Sequence, residues 1–541
     1  MKTKCNLFQI CLFSAAVLAL PAATQAQFLF TTNDGTITIT EYTGFGGDVT
    51  IPDTTNGLPI TGIASDAFFK SEYVTSVEIG ANVTTIGANA FFQCFSLASA
   101  TIPASVTNIG AGPFVDCLSL TVISVDADNL HYVSPNNLLF NKTQTSLIQF
   151  PGGAVGTYTL PADVTNIGEA FIGNSLTAIS VTAGNPYFSG TNGVLFNKNQ
   201  TTLIEYPGAA SGSYTVPRSV TTIASASFEY STGVSAVTIS NTVTDIGEYA
   251  FYDCSALTSI SVDSSDVNYS STNGVLFNKT QTQLIQYPTG LGGSYVIPGT
   301  VINIENGAFG DAINLTEVVI PESATSIGVE AFYSCEGLTN APIGNHVGII
   351  GTNAFYSCIS LAGITIPNSV TNIEEYAFFY CPSLTSLIFG SGVASIGEQA
   401  FYACQGLTNV CFEGNAPTDG GNIFSGDYLL SSISYVAGTT GWESTFDGIA
   451  TAPCAECVAA APVQFGIASV SRSGANLVLN ATNGVFGGTY IVLMGTSLTE
   501  PFSQWTPVAT NVLSASGNFT TIASNTVTPS LSARFFILEG P

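Results

Sequence analysis

At 541 residues the chain is longer than one compact domain needs, and only 8% of it is charged against 45% hydrophobic. The polar surface must therefore be made of Ser, Thr, Asn, Gln and Gly, which is the composition of an extracellular β-rich protein and not of a cytosolic enzyme. Nine Lys plus Arg oppose 36 Asp plus Glu, a net charge of −27, so the chain repels phosphate backbones and nucleic acid is excluded as a natural partner.

Residues 1–26 read as a secretory signal peptide. Lys2 and Lys4 form a basic start, Leu7 to Leu20 is an apolar run, and Pro21, Ala22, Ala23, Thr24 and Ala26 make a small-residue cleavage site. The run is too short to span a bilayer, which takes about 20 residues. No later stretch is long and apolar enough, so no membrane span is expected after cleavage. Cleavage leaves seven basic against 36 acidic residues, a charge of −29. Basic proteins, neutral glycans or calcium suit such a surface, and the charge also serves solubility. Ten cysteines remain, and secretion permits disulfides.

Residues 27–53 alternate apolar and polar side chains around Gly44, Gly46 and Gly47, and are expected to form an N-terminal β cap. From 54 to 412 one 23-residue sentence recurs, roughly Ile-Pro-x-Ser-Val-Thr-x-Ile-Gly-x-x-Ala-Phe-x-x-Cys-x-x-Leu-Thr-x-Ile. Its Phe falls at Phe68, Phe91, Phe114, Phe171, Phe228, Phe251, Phe309, Phe332, Phe355, Phe378 and Phe401. A fixed period of this length predicts a solenoid, mainly β and right-handed, in which each coil buries its apolar face against its neighbours. In one coil, Ile364 and Ile366 share a face of an extended run that Pro367 ends, Ser369–Ile373 makes a second extended piece, and Ala377–Cys381 is expected to be a short helical turn carrying Phe378 inward. Ile, Val and Thr suit a stacked, pleated surface.

Three gaps between repeats hold a second sentence, at Asn137–Pro151, Gly193–Pro207 and Gly274–Pro288, with apolar runs around Asn-Lys-x-Gln-Thr turns. These predict β-hairpins that either widen the sheet or stand out from one edge. Residues 413–453, rich in Gly, Asn, Thr and Asp, are expected to be a C-terminal cap. Residues 454–462 read as a linker, and 463–541 as a small β-sandwich of short alternating strands.

The repeat Ser-Val-Thr-x-Ile-Gly-x-x-Ala-Phe-x-x-Cys-x-x-Leu-Thr resembles the BspA-like (Treponema pallidum type) leucine-rich repeats over residues 48–412, and the Gly-Val-Leu-Phe-Asn-Lys hairpin resembles an embellishment of that family. The resemblance implies a bacterial secreted or cell-surface protein, with relatives active in adhesion and co-aggregation. It supplies no catalytic residues to carry over. The last segment, with Trp505-Thr506-Pro507 and Phe535–Leu538, is similar to C-terminal β modules of secreted proteins from Verrucomicrobia-type bacteria.

Candidate chemistry is sparse. Cys94, Cys117, Cys254, Cys335, Cys358, Cys381 and Cys404 share one repeat phase and would stack. Adjacent disulfides fit the spacing, but a ladder of buried thiols is the preferred reading. Cys454-x-x-Cys457 reads as a local structural disulfide, and Cys411 sits at an outward strand position. Neither His131 nor His346 accompanies a cysteine pair as a zinc site requires. Glu248, Glu375 and Glu398 share a phase and read as a solvated acidic face. No cofactor, metal or catalytic constellation is expected. The residue after the repeat Phe is often aromatic; the preferred reading is that each ring covers the edge of the core beside its neighbour, and if the row is exposed, Tyr333, Tyr356, Phe379 and Tyr402 form the candidate ligand-binding row, a platform for sugar rings. The expected function is non-enzymatic binding or adhesion toward an extracellular protein or polysaccharide. The alternatives are a structural envelope or matrix component and, third, a polysaccharide-active enzyme.

Overall fold

The computed structural model describes residues 27–457 in full and, beyond them, the backbone of six strands between 466 and 539. The expected signal peptide lies outside the described residues, as do the side chains from 458 onward.

Each coil has three sides. A four- to six-residue strand such as Gly363–Ile366 pairs in parallel with Ser386–Phe389 one coil on, so that Ile364 meets Leu387 and Ile366 meets Phe389. A two-residue strand such as Asn372–Ile373 pairs with Ser395–Ile396. The third side is the turn that holds the repeat Phe, tied to the next coil by Phe355 N–H to Ala377 O and Phe378 N–H to Ala400 O, both 2.7 Å. A strict 23-residue step places like on like. Phe309, Phe332, Phe355, Phe378 and Phe401 therefore stack with centroids 4.7–4.9 Å apart and are wholly buried. The column continues to Phe424, 5.8 Å from Phe401, so one further coil occupies the stretch expected to be a cap.

The turn is not the short helix that the sequence suggests. In nearly every coil the residues two before and two after the Phe have positive φ, as at Asn353 (55°) and Ser357 (55°), or Tyr376 (57°) and Tyr380 (56°). Left-handed residues break the run after about three positions and bend the chain sharply. The one helical stretch among the described residues is a 3-10 turn, Pro135–Asn137, and its Asn136 is itself left-handed.

The stacked cysteines are free thiols. Each donates to the carbonyl of the Phe one coil earlier, from Cys94 to Phe68 O (3.3 Å) through Cys404 to Phe378 O (3.2 Å). Where Asn174 replaces Cys, its amide donates to Phe171 O and to Glu205 Oε1, and its Oδ1 accepts from the Leu176 and Gly208 N–H groups. Cys454 and Cys457 are not joined to each other. The disulfide runs from Cys411 to Cys457, because the strand Asn409–Phe412 lies two strands from Ile449–Cys454 and the chain after Cys454 turns back over it. Cys411 keeps the outward phase of its strand, between inward Val410 and Phe412, and is buried because the chain carrying Cys454 and Cys457 covers it.

The hairpins widen the sheet. Val194–Asn197 pairs antiparallel with Thr202–Glu205, which then pairs in parallel with Thr222–Ile223 of the next coil. The Asn-Lys signature is structural: Lys142, Lys198 and Lys279 each donate Nζ to a backbone carbonyl, of Asn129, Asn185 and Asp266 respectively. Asn129 and Asn185 each accept two backbone N–H groups and donate Nδ2 to two carbonyls (Pro103 and Val106, then Pro161 and Val164). Asp266 accepts the same pair of N–H groups but has none to give. Its Oδ2 is buried without a partner, and Asn268 Nδ2 takes over Val243 O at 3.3 Å. Asp266→Asn is therefore expected to stabilise the protein by about 1–2 kcal/mol in chemical denaturation, whereas Asn185→Asp is expected to destabilise it.

Beyond the solenoid, Gly466–Ser473, Asn476–Gly484 and Gly517–Ala523 form one antiparallel sheet. Thr506–Val512, Thr489–Gly495 and Phe535–Glu539 form another. The sandwich core expected for 463–541 rests on side chains outside the described residues.

Candidate functional site

The turn side of the solenoid curves in on itself. Lys70, in the first coil, places its Nζ 4.4 Å from the ring centroids of both Tyr333 and Tyr356. Gln93 Nε2, in the second coil, donates to Tyr230 Oη at 3.2 Å across 137 residues of sequence. The position two after the Phe supplies much of this inner edge: Lys70, Gln93, Asp116, Tyr230, Asp253 and Asp311. Glu229, Glu330, Tyr249, Tyr252 and Tyr333 fill the rest. Gly310 stands where other coils carry an aromatic ring, and the Tyr252 ring takes that space. A Cβ at Gly310 would fall 2.2 Å from Tyr252 Cε2.

The interior so formed is polar and short of cations. Burial pushes the Asp116 carboxyl well above its ordinary range, and neighbouring Asp311 adds to the effect. Both its oxygens lack a hydrogen bond of normal geometry, although Gln93 and Tyr230 lie beside it and bond to each other. Burial likewise raises Glu229 and Glu330, raises Asp253 to about 8 and raises Asp311 to about 7, the last held down by the Tyr252 hydroxyl and Lys70. The same desolvation lowers Lys70, against the pull of Asp311, Glu72, Glu330 and Asp116. Unpaired charge is costly in such surroundings, so each of these acids holds its proton to higher pH than it would in water.

The aromatic row lies at the rim of this closure. Tyr333, Tyr356, Phe379 and Tyr402 stack with centroids 5.0, 4.8 and 4.8 Å apart and planes within 13°. Tyr333 is buried, inside a cluster with Tyr230 and Tyr252. Tyr356, Phe379 and Tyr402 are half-buried. Because the ring faces cover each other, the row offers edges and hydroxyls, and not the open faces on which a sugar ring would stack. Tyr376 packs edge-on to Phe379, and Tyr380 is exposed. Burial and then Glu398, Glu375 and Glu41 raise the Tyr376 hydroxyl; burial and then Glu72 raise that of Tyr356. Exposed Glu41 and Glu72 of the N-terminal coils and exposed Glu375 and Glu398 of the row's own coils thus all act on the tyrosines of the row.

The sequence did not point to Lys70, Glu41, Glu72, Tyr376 or Tyr380. One signal was available: Lys70 is the only lysine in the solenoid outside a hairpin turn. Glu248, Glu375 and Glu398 are exposed, as a solvated face requires. His346 is exposed and lies 3.6 Å from Glu322, far in sequence from exposed His131. Arg218, the remaining cation of the described solenoid, is exposed and 3.8 Å from Asp263. Among the described residues no helix is long and apolar enough to cross a membrane.

Residues 61–191, 210–292, 289–408 and 325–446 match the family described as BspA type leucine rich repeat region, in six copies, over more than half of the chain. Among solved structures, the chain is similar to a leucine rich cell surface protein from Faecalibacterium prausnitzii. The two are 27% identical over 79% of this chain and 96% of that one, with a TM-score of 0.36. It is similar to the pneumococcal vaccine antigen PcpA at 20% identity, over 72% of this chain and 93% of that one, with a TM-score of 0.28. It is similar to the T. pallidum leucine rich repeat protein at 17% identity, over 62% of this chain and 88% of that one, with a TM-score of 0.20. No curated protein matches it. With the 23-residue coil, the Phe column and the cysteine ladder in place, the chain belongs to the BspA-type leucine-rich repeat family.

Proposed function

We propose that this is a secreted or cell-surface binding protein, non-enzymatic, that recognises an extracellular protein through the rim formed by Tyr356, Phe379, Tyr376, Tyr380 and Tyr402. The observation that carries this reading is a half-buried aromatic row with exposed carboxylates acting on its tyrosines, on a solenoid whose described lysines are spent internally. Tyrosine edges give large, rigid contact area with a polar tip. Glu41, Glu72, Glu375 and Glu398 favour a partner patch rich in Lys and Arg, and steer its approach. Relatives described as a cell surface protein and as a vaccine antigen are consistent with this placement.

The test is an array of extracellular matrix proteins and polysaccharides probed with the purified chain. The expected result is saturable binding to a basic protein that weakens with salt and falls at least tenfold in the Tyr356→Ala/Tyr402→Ala variant. Binding that survives that variant, or concentration-dependent self-assembly with no ligand, contradicts it.

A further inference from the structure

Three sulfur atoms meet at the C-terminal end of the solenoid. Cys411, Cys454 and Cys457 have Sγ atoms all within 4.8 Å of one another, and among the described residues they are the one group of three so placed. Cys411 and Cys457 are joined, and Cys454 Sγ lies 3.6 Å from Cys411 Sγ. The strand register explains the approach. Cys411 pairs with Ser434 and Ser434 with Ala452, so Cys454 comes two residues further along the same sheet, where its thiol points to Tyr435 O at 3.3 Å.

This thiol differs from the other seven free ones. Those are fully buried, each donates to a Phe carbonyl, and burial pushes most of them, Cys254 and Cys358 among them, far toward the unreactive protonated form. Cys454 and Cys457 are half-buried, within reach of water and base. Reactivity in thiols follows thiolate formation and access.

We propose that Cys411, Cys454 and Cys457 form a thiol–disulfide exchange site, with Cys454 as the resident nucleophile. The Cys454 thiolate attacks Cys411 Sγ, the Cys411–Cys454 bond forms, and the Cys411–Cys457 bond breaks. The electron pair leaves on Cys457 Sγ, which takes up the proton that Cys454 released. The step consumes no oxidant or reductant. Its consequence is positional: Cys457 precedes the C-terminal strands, the first of which is Gly466–Ser473. Migration of the disulfide frees Cys457, which is half-buried, and presents its thiol to an external disulfide.

The full chain, purified without reductant, would be alkylated with iodoacetamide at pH 8 for increasing times, quenched in acid and mapped as unreduced peptides. The expected result is a Cys411–Cys454 link beside the Cys411–Cys457 link, with label divided between Cys457 and Cys454. In Cys454→Ser, only Cys411–Cys457 remains and Cys457 takes no label. Label on Cys454 alone, or on neither residue, with Cys411–Cys457 the sole link in the wild-type chain, overturns the proposal.

Discussion

Lowering the pH from 8.5 to 5 is expected to stabilise this protein, raising its Tm by about 3–5 °C at roughly 1 °C per kcal/mol for a chain of this length. The cause is the closed inner edge. Asp116, Glu229, Asp253, Asp311 and Glu330 face one another there, with Lys70 the single cation and Glu72, Glu169 and Glu336 nearby. Each of the five has a folded pKa above its unfolded value, Asp253 at about 8 and Asp311 at about 7. The folded state therefore binds more protons, so the stability present below about pH 4 is lost as pH rises through 7 to 8. A tenfold difference in proton affinity between the folded and unfolded states corresponds to about 1.4 kcal/mol, so several such groups together contribute several kcal/mol. Asp427 in the terminal coil, raised to about 8 by burial, adds in the same direction. The Asp116→Asn/Asp253→Asn/Glu229→Gln variant is expected to flatten the profile and to match or exceed wild type at pH 8. Thermal melts across pH 5–8.5 decide it; a wild-type Tm that is level or rises with pH contradicts the reading.

The second large effect concerns the Phe column. Phe355→Ala is expected to cost about 3–5 kcal/mol, the range for deleting a buried aromatic ring. It removes two near-parallel stacks, to Phe332 at 10° and to Phe378 at 4°, and leaves a void that the rigid coil spacing cannot close. Tyr380→Ala, in the same turn system but 45% exposed, is expected to stay within about 0.5 kcal/mol. Denaturant unfolding of both variants measures the contrast. Equal losses would mean that the stack carries no special share of the stability.

The contrast between these two effects mirrors what the sequence could reveal. Phe355 and Cys358 are legible because the 23-residue period acts on each coil and its neighbour alone, so repetition exposes every inward position. The hairpin copies, down to Lys198, follow from the same self-similarity. The sharp turn was misread because Tyr376 and Tyr380 are side chains that seldom take positive φ. The Asn, Asp and Gly residues at the matching positions, such as Asn89, Gly112, Asp116 and Asn353, carried the signal. The closure was not legible at all. It arises from a small rotation per coil summed over many coils, and it joins residues such as Gln93 and Tyr230 whose only relation in sequence is their phase. That is also why the aromatic row and its packing on the core edge were legible and the cover over Tyr333 was not. The row is a one-coil pattern, whereas what covers its end is Lys70 from the far end of the solenoid. Likewise the Cys411–Cys457 bond depends on a strand register that residues 413–453 do not spell out.

The candidate site exists only if the first coil packs against the coils near residues 311 to 356. A double-mutant cycle between Lys70→Met and Asp311→Asn at pH 7 tests that packing most directly. The two changes are expected to couple by at least about 1 kcal/mol in unfolding free energy, as neighbouring groups in one electrostatic network do. Losses that simply add, within about 0.3 kcal/mol, would place these residues apart and contradict the closed solenoid.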